Sequence, residues 1–256
     1  MLLIISKRIR MKVFVAYLQT FLSTVELHIH LSLLITAMLV HGYTPSHLTT
    51  SIIIPILKGY GVDKTLSCNY RAISLSSVVG KIIDLLILNR YSDKLVTSNN
   101  QFGFKPKCST TICTMLVKET LNYYHTNGSD VYCVLLDATK AFDRVNFRKL
   151  LEKLIHIQLP IITIRLLLNL YTGLAACVLW NGAISNSFPL LNGVRQGGVL
   201  SPILFCIYLD GLILKLMEAR IGCFIGHIFA GVFVYADDIA VICAHSPGYA
   251  KNVGHM

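Results

Sequence analysis

The 256-residue sequence is poor in charged residues, at 14%, and lacks several signals that would place it in a familiar class. Its eight cysteines include no Cys-x-x-Cys pair and no Cys/His grouping at zinc-ligand spacing, which argues against a zinc site. The apolar start precedes the first basic residues, the reverse of a signal peptide, and there is no internal repeat or low-complexity tract. We therefore expect reduced, mostly buried thiols in an intracellular protein.

Positive charge is what the sequence does have. Its 23 lysine and arginine residues against 13 acidic residues give a formal net charge of +10, which favours nucleic acid or an anionic membrane surface as a partner. The basic residues are spread from Lys7 to Arg220, a distribution that suits a long basic channel better than a tail. A chain of this length can bury a sizeable core as one large domain or two closely packed subdomains.

Hydropathy raises a membrane protein as an alternative, because the mean hydropathy is +0.61. The stretches 159–180 and 221–244 each approach the length of a membrane span. The first contains Arg165 and the second contains Asp237 and Asp238, and each aspartate would cost about 2.5–3.5 kcal/mol near the centre of a helix in lipid. Helical insertion of either stretch is therefore not expected.

Local patterns predict alternating helices and strands. The helical patterns are at 27–40, 77–90, 110–124, 147–154 and 201–220. The strand patterns are at 51–57, 131–136, 177–180 and 231–244. Asn146 is a plausible N-cap and Pro160 a stop for the fourth helix. Asn181 and Gly182 predict a two-residue hairpin turn, because both central residues of a type I′ turn need positive φ.

Three carboxylates stand at the ends of predicted strands. Asp137 ends one apolar strand, while Asp237 and Asp238 are adjacent between two others. A buried carboxylate without a partner is costly or takes up a proton, so this pair needs a compensating cation. Carboxylate oxygens suit Mg²⁺ or Mn²⁺, and two such ions about 3.5–4 Å apart can clamp both oxygens of a phosphoryl displacement. Taken singly, each aspartate also fits an ordinary turn or strand-end residue.

The joint pattern resembles the palm of reverse transcriptases. The Tyr-Ala-Asp-Asp segment at 235–238 looks like the family's Tyr-x-Asp-Asp hairpin, and 137–143 looks like its first carboxylate motif. The segment 193–202 resembles the loop and helix beneath the incoming nucleotide. Three segments resemble the fingers motifs of non-LTR (LINE-like) retrotransposon enzymes, at 54–59, 69–75 and 101–104. The resemblance covers about 27–244, in the family's order.

This resemblance implies roles for the matching carboxylates. Asp137, Asp237 and Asp238 would be catalytic and metal-binding, with Asp137 and Asp237 holding two Mg²⁺ or Mn²⁺ ions and Asp238 less tightly engaged. The implied reaction is attack by a primer 3′-hydroxyl on the α-phosphate of a dNTP, so that catalysis consists of positioning and electrostatic stabilisation.

Further roles are implied around the nucleotide. Lys58 and Arg71 would neutralise the triphosphate, and arginine is the better donor to phosphate oxygens. Phe142 would be a steric gate against a ribose 2′-hydroxyl, although alone it also fits a core phenylalanine. The remaining implied contacts are Gln196 and Gly197 with the nucleotide and Arg195 and Tyr235 with nucleic acid. Ala72, where the family usually has proline, is a departure that should loosen the turn after Arg71.

The implied fold is α/β (α+β), the fingers and palm of a right-hand polymerase without a thumb. An antiparallel palm sheet is expected from the 131, 177 and 231 regions, backed by the helices that begin near 146 and 201. The expected organisation is an unassigned segment at 1–26, fingers with an N-terminal helix at 27–130, and palm at 131–256. The reverse transcriptase domain itself would span about 52–244.

The implied function is RNA-directed DNA polymerisation for a non-LTR retrotransposon, with an RNA template, a DNA primer and dNTP, and without a membrane partner. We expect a chain without a thumb to be weak or inactive. One alternative is a decayed retroelement relic that retains only nucleic-acid binding. An RNA-dependent RNA polymerase shares the palm and metals but usually has glycine before the paired aspartates, and group II intron maturases are close relatives.

Overall fold

A computed structural model describes residues 25–138, 141–195 and 197–245. The helices are α1 (Val25–His41), α2 (Ser46–Thr49), α3 (Val78–Arg90), α4 (Thr110–Thr126), α5 (Phe147–His156), α6 (Ile161–Thr172) and α7 (Ser201–Glu218). The strands are β1 (Thr50–Leu57), β2 (Tyr70–Leu75), β3 (Asp130–Asp137), β4 (Ala175–Trp180), β5 (Ala183–Ile184), β6 (Phe188–Pro189), β7 (Phe224–Ile225), β8 (Ile228–Phe229), β9 (Val232–Tyr235) and β10 (Asp238–His245). All the predicted helices are found, while α6 was not predicted as a helix.

One described sheet has β1 at its centre. β1 pairs antiparallel with β2 on one edge and parallel with β4 on the other. Asn181 and Gly182 link β4 to β5 with φ angles of 48° and 84°, which confirms the predicted turn. The prediction that the 177 region joins the palm sheet is wrong. Both edges of β4 are already occupied, because β1 pairs with one edge and β5 and β6 pair with the other.

A second sheet has the order β3-β10-β9. One face packs on α7, where the fully buried Ile213 contacts a cluster with Val232 and Val234. The other face lies beside α4, where Phe233 packs near Cys113. The strands on either side of the paired aspartates are buried at Val232, Val234 and Ile242, whereas β3 is mostly exposed, with seven of its eight residues exposed. β3 is the edge strand of this sheet, and the apolar side of α7 covers β9 and β10 instead.

The largest core cluster is helical. Leu154 on α5, Leu167 on α6 and Leu204 on α7 are each 1% exposed, and burial stabilises each such side chain by about 1.5–3 kcal/mol. The side chain of Asn146 accepts a hydrogen bond from the Lys149 N–H, which confirms the predicted N-cap of α5. None of the helices in the described ranges is long and apolar enough to cross a membrane.

All eight cysteines are free. Only three of them are buried, namely Cys113, Cys206 and Cys223. The expectation of mostly buried thiols is therefore wrong. Cys133 is exposed because it lies on the edge strand β3.

Candidate functional site

Two of the three predicted carboxylates are direct partners in the β3–β10 ladder. Asp238 is opposite Asp137 in an antiparallel register, which places their Cβ atoms about 4.5–5.5 Å apart on one face of the sheet. Asp237 lies in the two-residue turn between β9 and β10, after Ala236, whose φ is 58°. Asp137 and Asp238 are exposed, and Asp237 is half-buried. We call residues 232–245 the carboxylate hairpin.

The donor set at this point fits a hard divalent cation. None of the three aspartates forms an ion pair with a residue that the structure describes. Within the same ranges no group of three His, Cys, Asp or Glu side chains converges closely enough to hold a metal ion by itself. Mg²⁺ is usually bound through one or two carboxylates together with water and substrate phosphates, so Asp137 and the adjoining Asp237 and Asp238 suit it without a complete protein cage.

The turn of the carboxylate hairpin is supported by a segment that sequence reasoning assigned only to the fingers. The Phe102 N–H donates to the Val234 carbonyl at 2.7 Å, and the Val234 N–H donates to the Asn100 carbonyl at 2.9 Å. Segment 100–104 thus runs parallel to β9 as an additional partner. The glutamine and glycine of the Gln-Phe-Gly-Phe pattern were the signal that could have identified this support.

Phe142 contacts other aromatic rings in two directions. Its ring stacks on the buried Phe205 with centroids 4.7 Å apart and an interplanar angle of 24°. Phe104 approaches it edge-on, with centroids 6.4 Å apart. The Val194 N–H donates to the Phe142 carbonyl at 2.8 Å. Phe142 is therefore held in place between the loop that contains Val194 and segment 100–104.

Gly197 lies against the end of β2. Its φ is 111°, and a Cβ built there would lie 2.5 Å from the Ser74 carbonyl oxygen, so a larger residue would be strained and would clash. The predicted contact of Gly197 with the nucleotide stays a prediction, and the neighbour that requires glycine here is β2. Gln196, the other predicted contact of the loop, lies outside the described residues.

Lys58 and Arg71, the basic side chains predicted to bind the triphosphate, share one side of the β1–β2 hairpin. Arg71 is opposite Ile56, and the Lys58 N–H extends the ladder by donating to the Asn69 carbonyl at 2.9 Å. Alternation along the strand places Lys58 and Arg71 on the same side. Both side chains are exposed. We call residues 50–75 the cationic hairpin.

Arg195 is the predicted site residue whose environment differs most from expectation. Its guanidinium donates to the Leu48 carbonyl at 3.0 Å and the Leu170 carbonyl at 3.4 Å, inside the molecule. Burial lowers its pKa, opposed by the nearby Tyr171 and Asp84. The guanidinium is thus directed towards interior carbonyl oxygens, and the predicted contact of Arg195 with nucleic acid stays a prediction.

Asp84 is a half-buried partner that the sequence did not reveal. Its Oδ2 accepts hydrogen bonds from the Val199 N–H at 3.1 Å and the Leu200 N–H at 3.3 Å, where α7 begins. Burial raises its pKa, opposed by the Leu200 hydrogen bond, by Arg195 and by the Val199 hydrogen bond. A carboxylate at a helix N-terminus is stabilised by the free N–H groups there. Asp84 thus fixes the loop that precedes α7.

Tyr235 lies directly opposite Asp238 at the end of β9. Together with Asp137 it lines a cavity of about 540 Å³ between α4 and the three-stranded sheet. The lining is otherwise mostly apolar, with residues such as Val117 and Leu135. The Tyr235 side chain stands beside the carboxylates, and its contact with nucleic acid stays a prediction.

Comparison with solved structures shows which fold this arrangement belongs to. Telomerase from Candida tropicalis, in complex with a fragment of telomeric RNA, matches 81% of this chain and 38% of its own, with a TM-score of 0.53 and 14% identity. Telomerase from Candida albicans matches 80% of this chain and 39% of its own, with a TM-score of 0.51 and 12% identity. The fold is thus that of these telomerases, which confirms the predicted fingers-and-palm class.

Sequence comparison gives the family. A family model described as reverse transcriptase (RNA-dependent DNA polymerase) matches residues 62–253, well over half of the chain. The chain belongs to the reverse transcriptase family. Enzymes of this family generally use divalent metal ions and bind an RNA template and a primer. The residue boundary between fingers and palm stays a prediction.

Relatives among curated proteins come from non-LTR retrotransposons. The RNA-directed DNA polymerase from the mobile element jockey of Drosophila funebris is 31% identical over 84% of this chain and 23% of its own length. A probable RNA-directed DNA polymerase from transposon X-element of Drosophila melanogaster is 31% identical over 70% of this chain and 20% of its own length. The chain therefore spans about a fifth of the length of these relatives.

Proposed function

We propose that this chain provides the fingers and palm of an RNA-directed DNA polymerase from a non-LTR retrotransposon. The observation that supports this most strongly is the register that sets Asp137 opposite Asp238, with Asp237 in the adjoining turn. These aspartates come from positions about a hundred residues apart, and pairing in a sheet is what brings them together. Without that convergence the motifs would be separate strand ends.

In the proposed mechanism the three aspartates bind and orient two divalent cations, Mg²⁺ or Mn²⁺. Asp137 and Asp237 would hold both ions, and Asp238 would be less tightly engaged. When bound, such ions lower the pKa of the primer 3′-hydroxyl and stabilise charge on the leaving pyrophosphate. The contribution of the protein is to fix carboxylate oxygens near the α-phosphate before the reaction begins.

The cationic hairpin and the loop before α7 would bind the nucleotide. Lys58 and Arg71 are exposed on one side of the hairpin, where they can donate to triphosphate oxygens. Phe142, held by Phe205, would exclude a ribose 2′-hydroxyl and so favour deoxynucleotides. Gly197 would let backbone approach the nucleotide, and Gln196 would contact the nucleotide or template.

The proposed partners are an RNA template, a DNA primer and dNTP, with Tyr235 near the primer end and with no membrane partner. The formal net charge of +10 supports polyanion binding. We propose an intracellular location, as expected for a protein that acts on nucleic acid.

Primer extension on an RNA template with Mg²⁺ or Mn²⁺ tests the proposal. The wild-type chain should extend the primer at least weakly, and the variant with Asp237→Ala and Asp238→Ala should not. Asp130→Ala is the matched control, because Asp130 is an exposed aspartate at the far end of β3, and this variant should behave as wild type. Equal extension by the wild-type chain and the double variant would overturn the proposed catalytic site.

The same variants separate catalysis from simple binding. A relic that retains only nucleic-acid binding would show no extension with either chain, and its affinity for a primer–template would be the same in both. That affinity should fall as salt concentration rises, because binding of phosphates releases counterions. This result would replace the proposed enzyme by a binding protein.

A further inference from the structure

Gln101 is completely buried beneath the turn of the carboxylate hairpin. Its side chain is 0% exposed, although glutamine is a residue type mostly found at the surface. It belongs to segment 100–104, which pairs with β9 through the Phe102 N–H and the Asn100 carbonyl. The position of a polar side chain here therefore needs an explanation that packing alone does not give.

The Gln101 side chain links its own segment to the turn. Its Oε1 accepts from the Gly103 N–H at 2.9 Å and from the Ala236 N–H at 3.2 Å. Ala236 immediately precedes Asp237 and has a φ of 58°, a left-handed conformation that alanine rarely adopts. The hydrogen bond thus acts on the backbone unit that sets the direction of the Asp237 side chain.

The orientation of the amide follows from these two donors. Because both neighbours donate N–H groups, only the oxygen of the amide can face them. The Nε2 atom is then directed to a buried place where no described residue accepts a hydrogen bond. A buried unsatisfied donor costs free energy that an apolar side chain of similar size would avoid. The acceptor oxygen that the two N–H groups require is thus the reason that a glutamine occupies this buried position.

The backbone of segment 100–104 also packs closely on the Ala236–Asp237 turn. A Cβ built on Gly103 would lie 2.3 Å from the Ala236 nitrogen, so the segment touches the turn directly. The Asn100 Nδ2 donates to the carbonyls of Phe229 and Val232, at 3.0 and 2.8 Å, and ties the same segment to the start of the hairpin. β9 is thus supported from its start at Val232 to the turn at Ala236, and Gln101 makes the contact next to the aspartates.

We propose that Gln101 is a positioning residue for the Ala236–Asp237 turn, and thereby for the binding of divalent cations by the carboxylate hairpin. The inference rests on the proposed function. Gln101 does not itself touch the cation. It fixes the backbone from which Asp237 and Asp238 extend, as residues behind a metal ligand commonly do.

Cation binding by folded variants tests this role without depending on catalysis. Mn²⁺ affinity of the full chain is measured from the paramagnetic resonance signal of free Mn²⁺, and folding is checked by circular dichroism. Gln101→Leu removes the acceptor at similar size and should weaken Mn²⁺ binding about 10- to 100-fold, the usual effect of losing support behind a ligand. Gln101→Glu keeps an acceptor oxygen for both N–H groups and should restore binding to within about threefold.

Thr163→Val is the control for lost stability. The Thr163 hydroxyl donates to the Tyr91 hydroxyl at 3.0 Å in a buried place on α6, so this change also removes a buried hydrogen bond. It should leave Mn²⁺ affinity unchanged. If Gln101→Leu does not fold, Gly103→Ala takes its place, since the added Cβ displaces the Ala236 nitrogen. Gly173→Ala is its control, because a Cβ there meets its nearest atom only at 3.4 Å.

Each outcome has a defined meaning. Unchanged Mn²⁺ affinity in Gln101→Leu, or in Gly103→Ala where the first does not fold, overturns the role of Gln101 and leaves the proposed function intact. Equal weakening by Gln101→Leu and Gln101→Glu also overturns it, since the acceptor would not be the cause. If the wild-type chain and the Asp237→Ala, Asp238→Ala variant bind Mn²⁺ equally, the proposed function fails and the role of Gln101 fails with it.

Discussion

The carboxylate hairpin and the cationic hairpin are both antiparallel, yet the structure supports them differently. In the carboxylate hairpin, Val232 and Val234 are buried against α7, and segment 100–104 adds hydrogen bonds at the turn. In the cationic hairpin, Ile52 and Ile56 are exposed at 38% and 51%, and β4 supports only one edge. One hairpin is fixed across its faces and the other mainly along an edge.

This difference matches what each set of side chains is proposed to bind. Ligands of a small cation must be held at short, well-defined distances, so their backbone benefits from rigid support. Cations that neutralise a triphosphate act over longer distances and can adjust through flexible side chains. The comparison therefore predicts that changes near the aspartates affect geometry, whereas changes at Lys58 and Arg71 affect mainly nucleotide affinity.

The largest effect is expected at Asp137, which would complete the proposed cation site from outside the supported hairpin. Asp137→Asn keeps the shape of the side chain and removes the charge, so it should lower Mn²⁺ affinity by more than about 100-fold and abolish primer extension. Folding should be unaffected, because Asp137 is exposed at the end of the edge strand β3.

Asp130→Asn on the same strand is the control for Asp137→Asn. Measurement of Mn²⁺ binding and thermal unfolding of both variants separates a ligand from a structural residue. If Asp137→Asn keeps wild-type Mn²⁺ affinity, the cation site belongs to the carboxylate hairpin alone. The contribution of β3 would then be limited to pairing with β10.

Sequence patterns predicted what depends on local chemistry. The helix that Asn146 caps and the turn at Asn181 and Gly182 are confirmed, because caps and type I′ turns depend on residues next to each other. A hairpin turn was also placed correctly at Asp237 for the same reason, while Asp238 is the first residue of β10. These features needed no knowledge of distant contacts.

Features that depend on distant partners were not predictable in the same way. The partner of β4 is β1, more than a hundred residues earlier, and nothing in the apolar 177–180 segment indicates this choice. Arg195 was assigned to nucleic acid because the sequence shows its charge. The sequence does not show that the carbonyls of Leu48 and Leu170 accept hydrogen bonds from it. The contact of Gln101 with Ala236 spans 135 residues and follows only from tertiary packing.

A smaller effect is expected at the cationic hairpin. Tyr70, beside Arg71, lies edge-on to Trp180 with ring centroids 5.2 Å apart, and Trp180 is the single tryptophan of the chain. Alternation along β2 places Tyr70 and Trp180 on the face opposite Arg71, so tryptophan fluorescence reports the folding of this hairpin, and dNTP affinity is measured by calorimetric titration. Arg71→Ala should weaken dNTP binding about 10- to 100-fold, since a charge-assisted hydrogen bond contributes about 1.5–3 kcal/mol, and Arg71→Lys should weaken it less.

Lys64→Ala distinguishes a specific phosphate contact from general attraction. Lys64 is exposed in the loop of the same hairpin, so its removal changes the net charge equally. Unchanged dNTP affinity in Lys64→Ala, with loss in Arg71→Ala, would sharpen the comparison. Equal losses in both would show that the cationic hairpin attracts nucleotide only through its total charge.

The smallest expected effect concerns the base of segment 100–104. The Asp210 carboxylate on α7 accepts a hydrogen bond from the Ser98 N–H at 2.8 Å. Burial raises the pKa of Asp210, opposed by the Ser98 hydrogen bond and by the positive charges of Lys105 and Lys153. Lys105 also donates to the Thr97 carbonyl at 3.0 Å, so the same cluster holds the chain just before Gln101.

A raised pKa makes the folded protein hold its proton at a pH where the unfolded chain, with an aspartate pKa of 3.8, has released it. The stabilising contribution is therefore complete below pH 3.8 and is lost as the pH rises through the folded-state value. We expect the free energy of unfolding in urea to decrease with pH over this window. Asp210→Asn, whose amide oxygen can still accept from the Ser98 N–H, should reduce that slope. If the free energy of unfolding depends on pH equally in the wild type and in Asp210→Asn, Asp210 titrates alike in the folded and unfolded states, and its pKa is not raised by folding.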